Sequence, residues 1–143
     1  MSGFATTLWR TGNRFGVWVY RRTGGKVGGR AQGGSPVLIL TVAGRTSGRL
    51  FSTPVAYFRR DGGWLVVGSG GGQPQDPQWF KNLRAADRAV VEVGRERHEV
   101  AVRVLHGEEE DDAFAQVVQE NPSFGKYPGK AGRPIPVALL TPR

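Results

Sequence analysis

Residues 36–93, PVLILTVAGRTSGRLFSTPVAYFRRDGGWLVVGSGGGQPQDPQWFKNLRAADRAVVEV, decide the fold. Val37 to Val42 is a short apolar run rich in β-branched residues, which pack well on a pleated surface. It stops at Gly44-Arg45-Thr46-Ser47-Gly48, where two glycines bracket a cation and two hydroxyls. A turn of this kind presents backbone N–H groups and a guanidinium to an anion. Ser52 to Phe58 resumes a strand, Asp61-Gly62-Gly63 turns it, and Trp64 to Val67 returns ahead of the run Gly70-Gly71-Gly72. That portion reads as a hairpin. Asp76-Pro77 reads as an N-cap followed by proline at the first helical position, predicting a helix through Trp79, Phe80 and Leu83 to about Ala86. Its N-terminus then points back at the glycine run, and the whole stretch encloses one cofactor-sized cleft.

Downstream, Ala89 to Val93, a turn at Gly94 and the alternating segment His98 to Val104 predict a further hairpin. His98 falls in phase with Val100 and Val102, so a packed or edge histidine is expected and it is given no chemical role. Glu108 to Glu120 reads as a helix with an acidic first turn, which suits the positive end of the helix dipole. Asn121 to Arg133 mixes proline and glycine with Phe124 and Tyr127, and Ile135 to Thr141 supplies a closing strand. Upstream, residues 4–22 combine Phe4, Leu8, Trp9, Phe15, Trp18 and Val19 with four arginines. This is a helix-like mixture that suits both a cover for one barrel face and an anchor at an anionic membrane surface. Residues 24–34 form a glycine-rich connector that lacks the ending of a nucleotide P-loop. The expected organisation is a helical segment over 1–22 and one barrel domain over 23–143. Strands joined by hairpins, with one helix midway and another before the last strand, predict a mainly β protein: a small antiparallel barrel with peripheral helices. No strand leads into a Gly-x-Gly-x-x-Gly turn opening a helix, which disfavours a dinucleotide-binding domain.

Composition narrows the chemistry. The chain has 143 residues, enough for one domain with its own core. With no cysteine and two histidines it offers no disulfide framework, no thiolate nucleophile and no convincing metal set, so no metal is expected. Twenty Lys and Arg against twelve Asp and Glu give a formal charge of +8, which favours an anionic partner. The basic residues are scattered and no nucleic-acid motif accompanies them, so nucleic acid is not the expected partner. No apolar run approaches the ~20 residues of a spanning helix and no secretory core is present, so a cytoplasmic location is expected.

The order Leu40 to Gly48, Thr53-Pro54, Asp61 to Gly63, Gly68 to Gly72, Pro77 to Leu83 and Arg133 to Val137 resembles the deazaflavin-dependent nitroreductase family of actinobacteria. The resemblance spans about Asn13 to Pro142 and is specific as an ordered set. It implies a split β-barrel of the flavin-binding, pyridoxamine-phosphate-oxidase-like kind. It also implies the reduced 8-hydroxy-5-deazaflavin coenzyme F-420 as hydride donor, ahead of FMN. The implied acceptor is a small hydrophobic molecule, a quinone or a nitroaromatic compound, and several members of the family associate with membranes, which implies peripheral contact at the inner face of the cell membrane. Carried over residue by residue, the coenzyme site falls on Arg45, Thr46 and Ser47; on Phe51, Ser52, Thr53, Pro54, Val55 and Ala56; on Val67, Gly68, Ser69 and Gly70; and on Gln78, Trp79, Phe80, Lys81 and Asn82. Arg45 would hold the phosphate, since a guanidinium suits it geometrically. Ser69, Trp79 and Phe124 would line the ring, and the catalytic residues implied are Ser69 and Tyr127, with Tyr127 donating the proton because a phenol keeps its proton at neutral pH.

Departures from the family pattern are as informative. Many relatives carry cations at the positions of Thr46, Phe51 and Gly70, and Arg49 and Lys81 are the neighbouring residues that could compensate. Nitroimidazole-reducing members offer several tyrosines where this chain has Asn121, Phe124 and Tyr127. A non-catalytic barrel that holds a lipid, a flavin or another hydrophobic ligand is the alternative function.

Overall fold

A computed structural model describes residues 14–26, 28–30 and 34–143. Six strands close an antiparallel barrel: β1 (Val37–Ala43), β2 (Leu50–Arg60), β3 (Gly63–Val67), β4 (Arg88–Val93), β5 (Glu96–Val104) and β6 (Val137–Pro142), in the spatial order β1-β2-β3-β6-β5-β4. Residues 14–23 form helix α1; α2 is Gln78–Arg84, α3 is Gly107–Glu120 and α4 is Tyr127–Ala131.

Alternation along each strand sorts the side chains into two layers. Leu38, Leu40, Val42, Val55, Trp64, Val66, Ala89, Val91, Val100, Ala138 and Leu140 fill the interior, where Phe80 and Leu83 of α2 join them. The opposite face of β2, β3 and β6 carries Phe58, Leu65, Val67, Val137 and Leu139, which pack under α3 and α4 through Ala113, Val117, Phe124, Tyr127 and Ala131. A third cluster joins Val17 and Tyr20 of α1 to Val37 and Ile39 of β1. Tyr20 fastens the helix: its hydroxyl donates to Val37 O at 2.9 Å and accepts from Gly94 N at 2.8 Å. Arg21 adds a bidentate pair with Glu92, closest at 2.7 Å. The N-terminal helix reading extends to residues 4–13, which lie outside the described residues.

One change of pairing partner opens an edge of the sheet. Residues Leu50 to Ala56 of β2 pair with β1, whereas Tyr57 to Arg60 pair with β3. The upper half of β2 therefore has β1 on one edge and no strand on the other. At the same level β3 leaves the sheet through Gly68 into the glycine run, and Val67 pairs with Val137 of β6. The barrel is split between β2 and the Gly68 loop, and an unpaired edge leaves backbone donors and acceptors for another partner.

Two sequence expectations are corrected here. Asp76 does not cap α2: the N-cap is Pro77, no side chain caps the helix, and the helix ends at Arg84. The Asp76 carboxylate is held by two guanidiniums, Arg84 at 2.8 Å and Arg133 at 2.6 Å, which outcompete a single backbone N–H. Asn121 to Arg133 is also more regular than its composition suggests. Pro122–Lys126 forms a 3-10 turn, capped by the Asn121 side chain accepting from Ser123 N, and α4 follows with Gly132 at φ 67° ending it. His98 is half-buried, with its ring 4.9 Å from that of Trp64.

Candidate functional site

Three pieces converge at the split: the Gly44–Gly48 turn, the Gly68–Asp76 loop and the start of α2. The first turn is closed by Gly44 N donating to Arg49 O at 2.7 Å and Gly48 N donating to Gly44 O at 2.9 Å. Gly48 has φ 74° and nothing within 4 Å of the position a Cβ would take, so a ligand meets bare backbone there. Ser47 Oγ accepts from Arg49 N at 3.2 Å, and the Phe51 ring lies over Gly44.

Arg45 crosses from this turn to α2. Its backbone N–H and its Nη1 both donate to Asn82 Oδ1, at 3.1 and 2.7 Å, and its Nη2 donates to Gln78 Oε1 at 2.9 Å. Asn82 is buried, so its amide is a fixed anchor. Both acceptors are neutral amides, and Arg45 forms no ion pair among the described residues. The guanidinium is therefore oriented without its charge being cancelled, an arrangement fitted to a phosphate or carboxylate.

The second turn carries Gly70, Gly71 and Gly72 at φ 55°, 71° and 88°, a run of left-handed residues that side chains other than glycine adopt only with strain. Gly71 again has nothing within 4 Å of a Cβ position. Gly68 is glycine for packing: a Cβ there would lie 2.8 Å from the Phe80 ring and 2.9 Å from Pro136. Lys81 Nζ donates to Gln75 Oε1 at 3.2 Å, tying α2 to the loop.

The sequence-derived site residues divide by where their side chains lie. Arg45, Thr46, Ser47, Phe51 and Gln78 are exposed at the groove, with Trp79, Lys81 and Gly70 half-buried beside them. Trp79 packs edge-on against Phe80, ring centroids 5.5 Å apart. Phe80 and Val55 are buried in the barrel interior, and Val67 faces the α3–α4 layer, so these three offer a ligand only backbone. Ser52 turns to the outer face, where its Oγ lies 2.7 Å from Thr41 Oγ1 and 3.3 Å from Arg21 Nη2. Thr53, Pro54 and Ala56 are half-buried along the β2 segment that pairs only with β1. Ser69 is buried and uses its carbonyl to accept from Arg133.

Phe124 and Tyr127 form a stack apart from Arg45. Phe124 meets Phe58 edge-on at 5.5 Å and Tyr127 at 5.2 Å, and each of Phe124 and Tyr127 is 7% exposed. Helix α4, which begins at Tyr127, reaches the site through Lys130, whose stem covers Gly72 so closely that a Cβ there would lie 2.7 Å from Lys130 Cδ. Lys130, Asp76 and Arg133 are the residues of this site that sequence reasoning did not assign. Two clefts elsewhere, of about 260 Å³ beside Ser35, Tyr57 and Glu120 and about 240 Å³ beside Arg21, Arg95 and Arg97, contain none of the candidate residues.

Known proteins resemble this chain in sequence and in fold. The family model for F420H(2)-dependent quinone reductase covers residues 12–142. The chain is 34% identical over 128 residues to an F420H(2)-dependent quinone reductase of Mycobacterium tuberculosis, covering 87% of this chain and 86% of that one. Among solved structures, an F420-H2 dependent reductase superposes with a TM-score of 0.66 at 29% identity, over 73% of this chain and 93% of the other. A heme storage protein of Vibrio cholerae shares the fold alone, with a TM-score of 0.55 at 15% identity over 75% of this chain and 81% of the other.

Proposed function

The chain belongs to the F420H(2)-dependent quinone reductase family, and from that premise we propose a division of labour among its own residues. It is an oxidoreductase that uses the reduced deazaflavin coenzyme F420 to reduce a quinone. The residues present fit such a cofactor: an oriented, uncompensated guanidinium for the anionic tail, two open glycine turns and an unpaired strand edge for a flat ring. When bound, the coenzyme supplies the hydride.

Arg45, placed by Asn82 and Gln78, binds the phosphate in this reading, with Lys81 and Lys130 adding positive charge from α2 and α4. Ser52 to Ala56 and Val67 to Ser69 present backbone to the ring, and Trp79 walls it. Positioning and water exclusion are what the protein adds, because the cofactor carries the reactive bond. Tyr127 is the proposed proton source for the reduced acceptor, with Phe124 holding its ring. Nitroaromatic compounds are proposed as further acceptors.

Peripheral contact with the inner, anionic face of the cell membrane completes the proposal. Phe15 and Trp18 of α1 are 65% and 60% exposed and stack at 6.2 Å, flanked by the exposed Arg14 and Arg22. No helix of the described residues is long and apolar enough to cross a membrane.

The observation that carries the site assignment is the guanidinium held by two neutral amides. The test is a titration of the purified protein with oxidised deazaflavin and, in parallel, FMN, followed by turnover with menadione. Tighter deazaflavin binding with quinone-dependent oxidation is the expected result. Tighter FMN binding overturns the cofactor assignment, and binding without turnover favours a non-catalytic ligand holder.

A further inference from the structure

The Gly68–Asp76 loop has little in its sequence to hold it still. Four of its nine residues are glycines, three with positive φ, and apart from Pro74 it contains no large apolar side chain. Fixing such a segment costs roughly as much backbone entropy per residue as any in a protein. Among the described residues, its own main chain contributes two hydrogen bonds, Gly68 N to Pro136 O and Gly72 N to Ser69 O, each 2.9 Å.

The remaining hydrogen bonds to its main chain, among the described residues, come from one side chain outside the loop. Arg133, between α4 and β6, is 14% exposed and donates to four loop carbonyls: Nε to Gln73 O at 3.1 Å, and Nη2 to Gln75 O at 2.9 Å, Gly68 O at 3.3 Å and Ser69 O at 3.4 Å. Its Nη1 donates to Asp76 Oδ1 at 2.6 Å, and the other oxygen of Asp76 takes Arg84 of α2 at 2.8 Å. One guanidinium thus joins the loop at the proposed ring site, the helix that anchors Arg45 and the strand that follows the Tyr127 helix. With carbonyls turned inward to Arg133, the loop's order depends on a planar five-donor fork. A lysine, with three donors on one atom, cannot reproduce that pattern.

We propose that Arg133 is a positioning residue for hydride transfer: it fixes the Gly68–Asp76 loop and, through Asp76, α2, so that the two walls of the groove keep one relative geometry. This rests on the coenzyme site assigned above. The guanidinium of Arg133 is engaged by loop carbonyls, by Pro134 O and by Asp76, so on this proposal its loss acts on alignment more than on binding.

The test compares the parent with Arg133→Lys in the full chain. It measures deazaflavin Kd, single-turnover oxidation of bound reduced deazaflavin by saturating menadione, and hydrogen exchange of amides 69–75. Misalignment of reacting groups costs up to about 100-fold in rate. The expected result is a single-turnover rate 10- to 100-fold lower, a Kd raised less than the rate falls, and faster exchange at 69–75. Added guanidinium ion should restore part of the rate to Arg133→Ala. If Arg133→Lys does not fold, Asp76→Asn is read in the same way, with a rate loss of about threefold or more expected. A parental rate, or a rate loss with parental exchange at 69–75, overturns the inference. A parent that binds no deazaflavin refutes the coenzyme assignment and this inference with it, whereas a binding, active parent beside an Arg133→Lys of parental rate refutes this inference alone.

Discussion

Asn82→Asp separates the charge of Arg45 from its placement. In the parent, Asn82 Oδ1 accepts from Arg45 N at 3.1 Å and from Nη1 at 2.7 Å. A carboxylate at that position accepts both bonds and keeps the turn on α2, but sets a full negative charge against the guanidinium. Stability should hold. A hydrogen bond to a charged group contributes about 1.5–3 kcal/mol against about 1 for a neutral one, and desolvation of the new carboxylate offsets part of the gain. Anion binding should fall. Two anions on opposite sides of one guanidinium stand on the order of 7 Å apart and repel by about 2.4 kcal/mol at an effective dielectric of about 20. Arg45 is exposed, so screening lowers this to roughly 1–2 kcal/mol, a five- to thirty-fold rise in deazaflavin Kd. Fluorescence titration at two ionic strengths, with urea denaturation alongside, measures both effects; the salt dependence should be shallower in the variant. Parental affinity in a variant of parental stability would mean that the charge of Arg45 holds no anion and that its only task is to clasp the turn to α2.

Tyr127→Phe keeps the edge-on packing against Phe124, so the melting temperature should stay within a few degrees while menadione turnover falls; general acid catalysis is worth roughly 10²–10⁴-fold. An unchanged single-turnover rate would assign proton delivery to solvent. Tyr20→Phe should cost about 1–3 kcal/mol at neutral pH by leaving Gly94 N–H and Val37 C=O without their partner, read as a lower urea midpoint. Burial above all holds the Tyr20 phenol above its ordinary pKa of 10.0, so the folded state keeps a proton that the unfolded chain releases, and parental stability falls as pH rises past that value. The variant should lack this contribution to the alkaline slope; equal slopes would exclude Tyr20 as its source. Replacing Phe15 and Trp18 together by Ser should lower cosedimentation with anionic vesicles about tenfold or more, since burying one aromatic side chain is worth about 1.5–3 kcal/mol. Unchanged cosedimentation would move any membrane contact off α1.

Local chemistry was legible in the sequence where one short segment decides it. The first two hairpins follow from β-branched runs and glycine turns, and the Asp61-Gly62 turn takes the positive φ values, 52° and 76°, that those residue types tolerate. The N-cap at Asp76 failed because the competitor lies far along the chain: Arg133, 57 residues away, has no mark near Asp76 in the sequence. Helix α4 was hidden for a different reason. Five residues beginning Tyr127-Pro128-Gly129 show no helical period, and the burial of Tyr127 and Ala131 is what holds them. The split barrel followed from the family resemblance, but the place of the split was not readable in the strand pattern, since β2 is one continuous alternating run whose pairing passes from β1 to β3 at Tyr57. Strand patterning tells which face is buried, not which neighbour each residue takes. For Arg45 the sequence supplied the cation and its turn, but not the two amides that aim it.

Pairing and placement together, more than net charge, bear on where a basic protein holds an anion. Among the described residues Arg21, Arg60, Arg84, Arg103 and Arg133 each stand in an ion pair with a carboxylate, and their fields at a distance are largely spent on those partners. Arg45, Lys81 and Lys130 have no carboxylate partner among the described residues, as is also true of Arg49, Arg59, Arg95 and Arg97; what distinguishes the three is that amide partners or a packed stem hold them beside the glycine turns and α2. An anchored guanidinium loses little freedom when an anion arrives, while its full charge remains to attract one. Thr46, Phe51 and Gly70 bring no charge to the two turns. Lys130 reaches the glycine turn from α4, so a positive charge stands beside that turn although its own residues carry none.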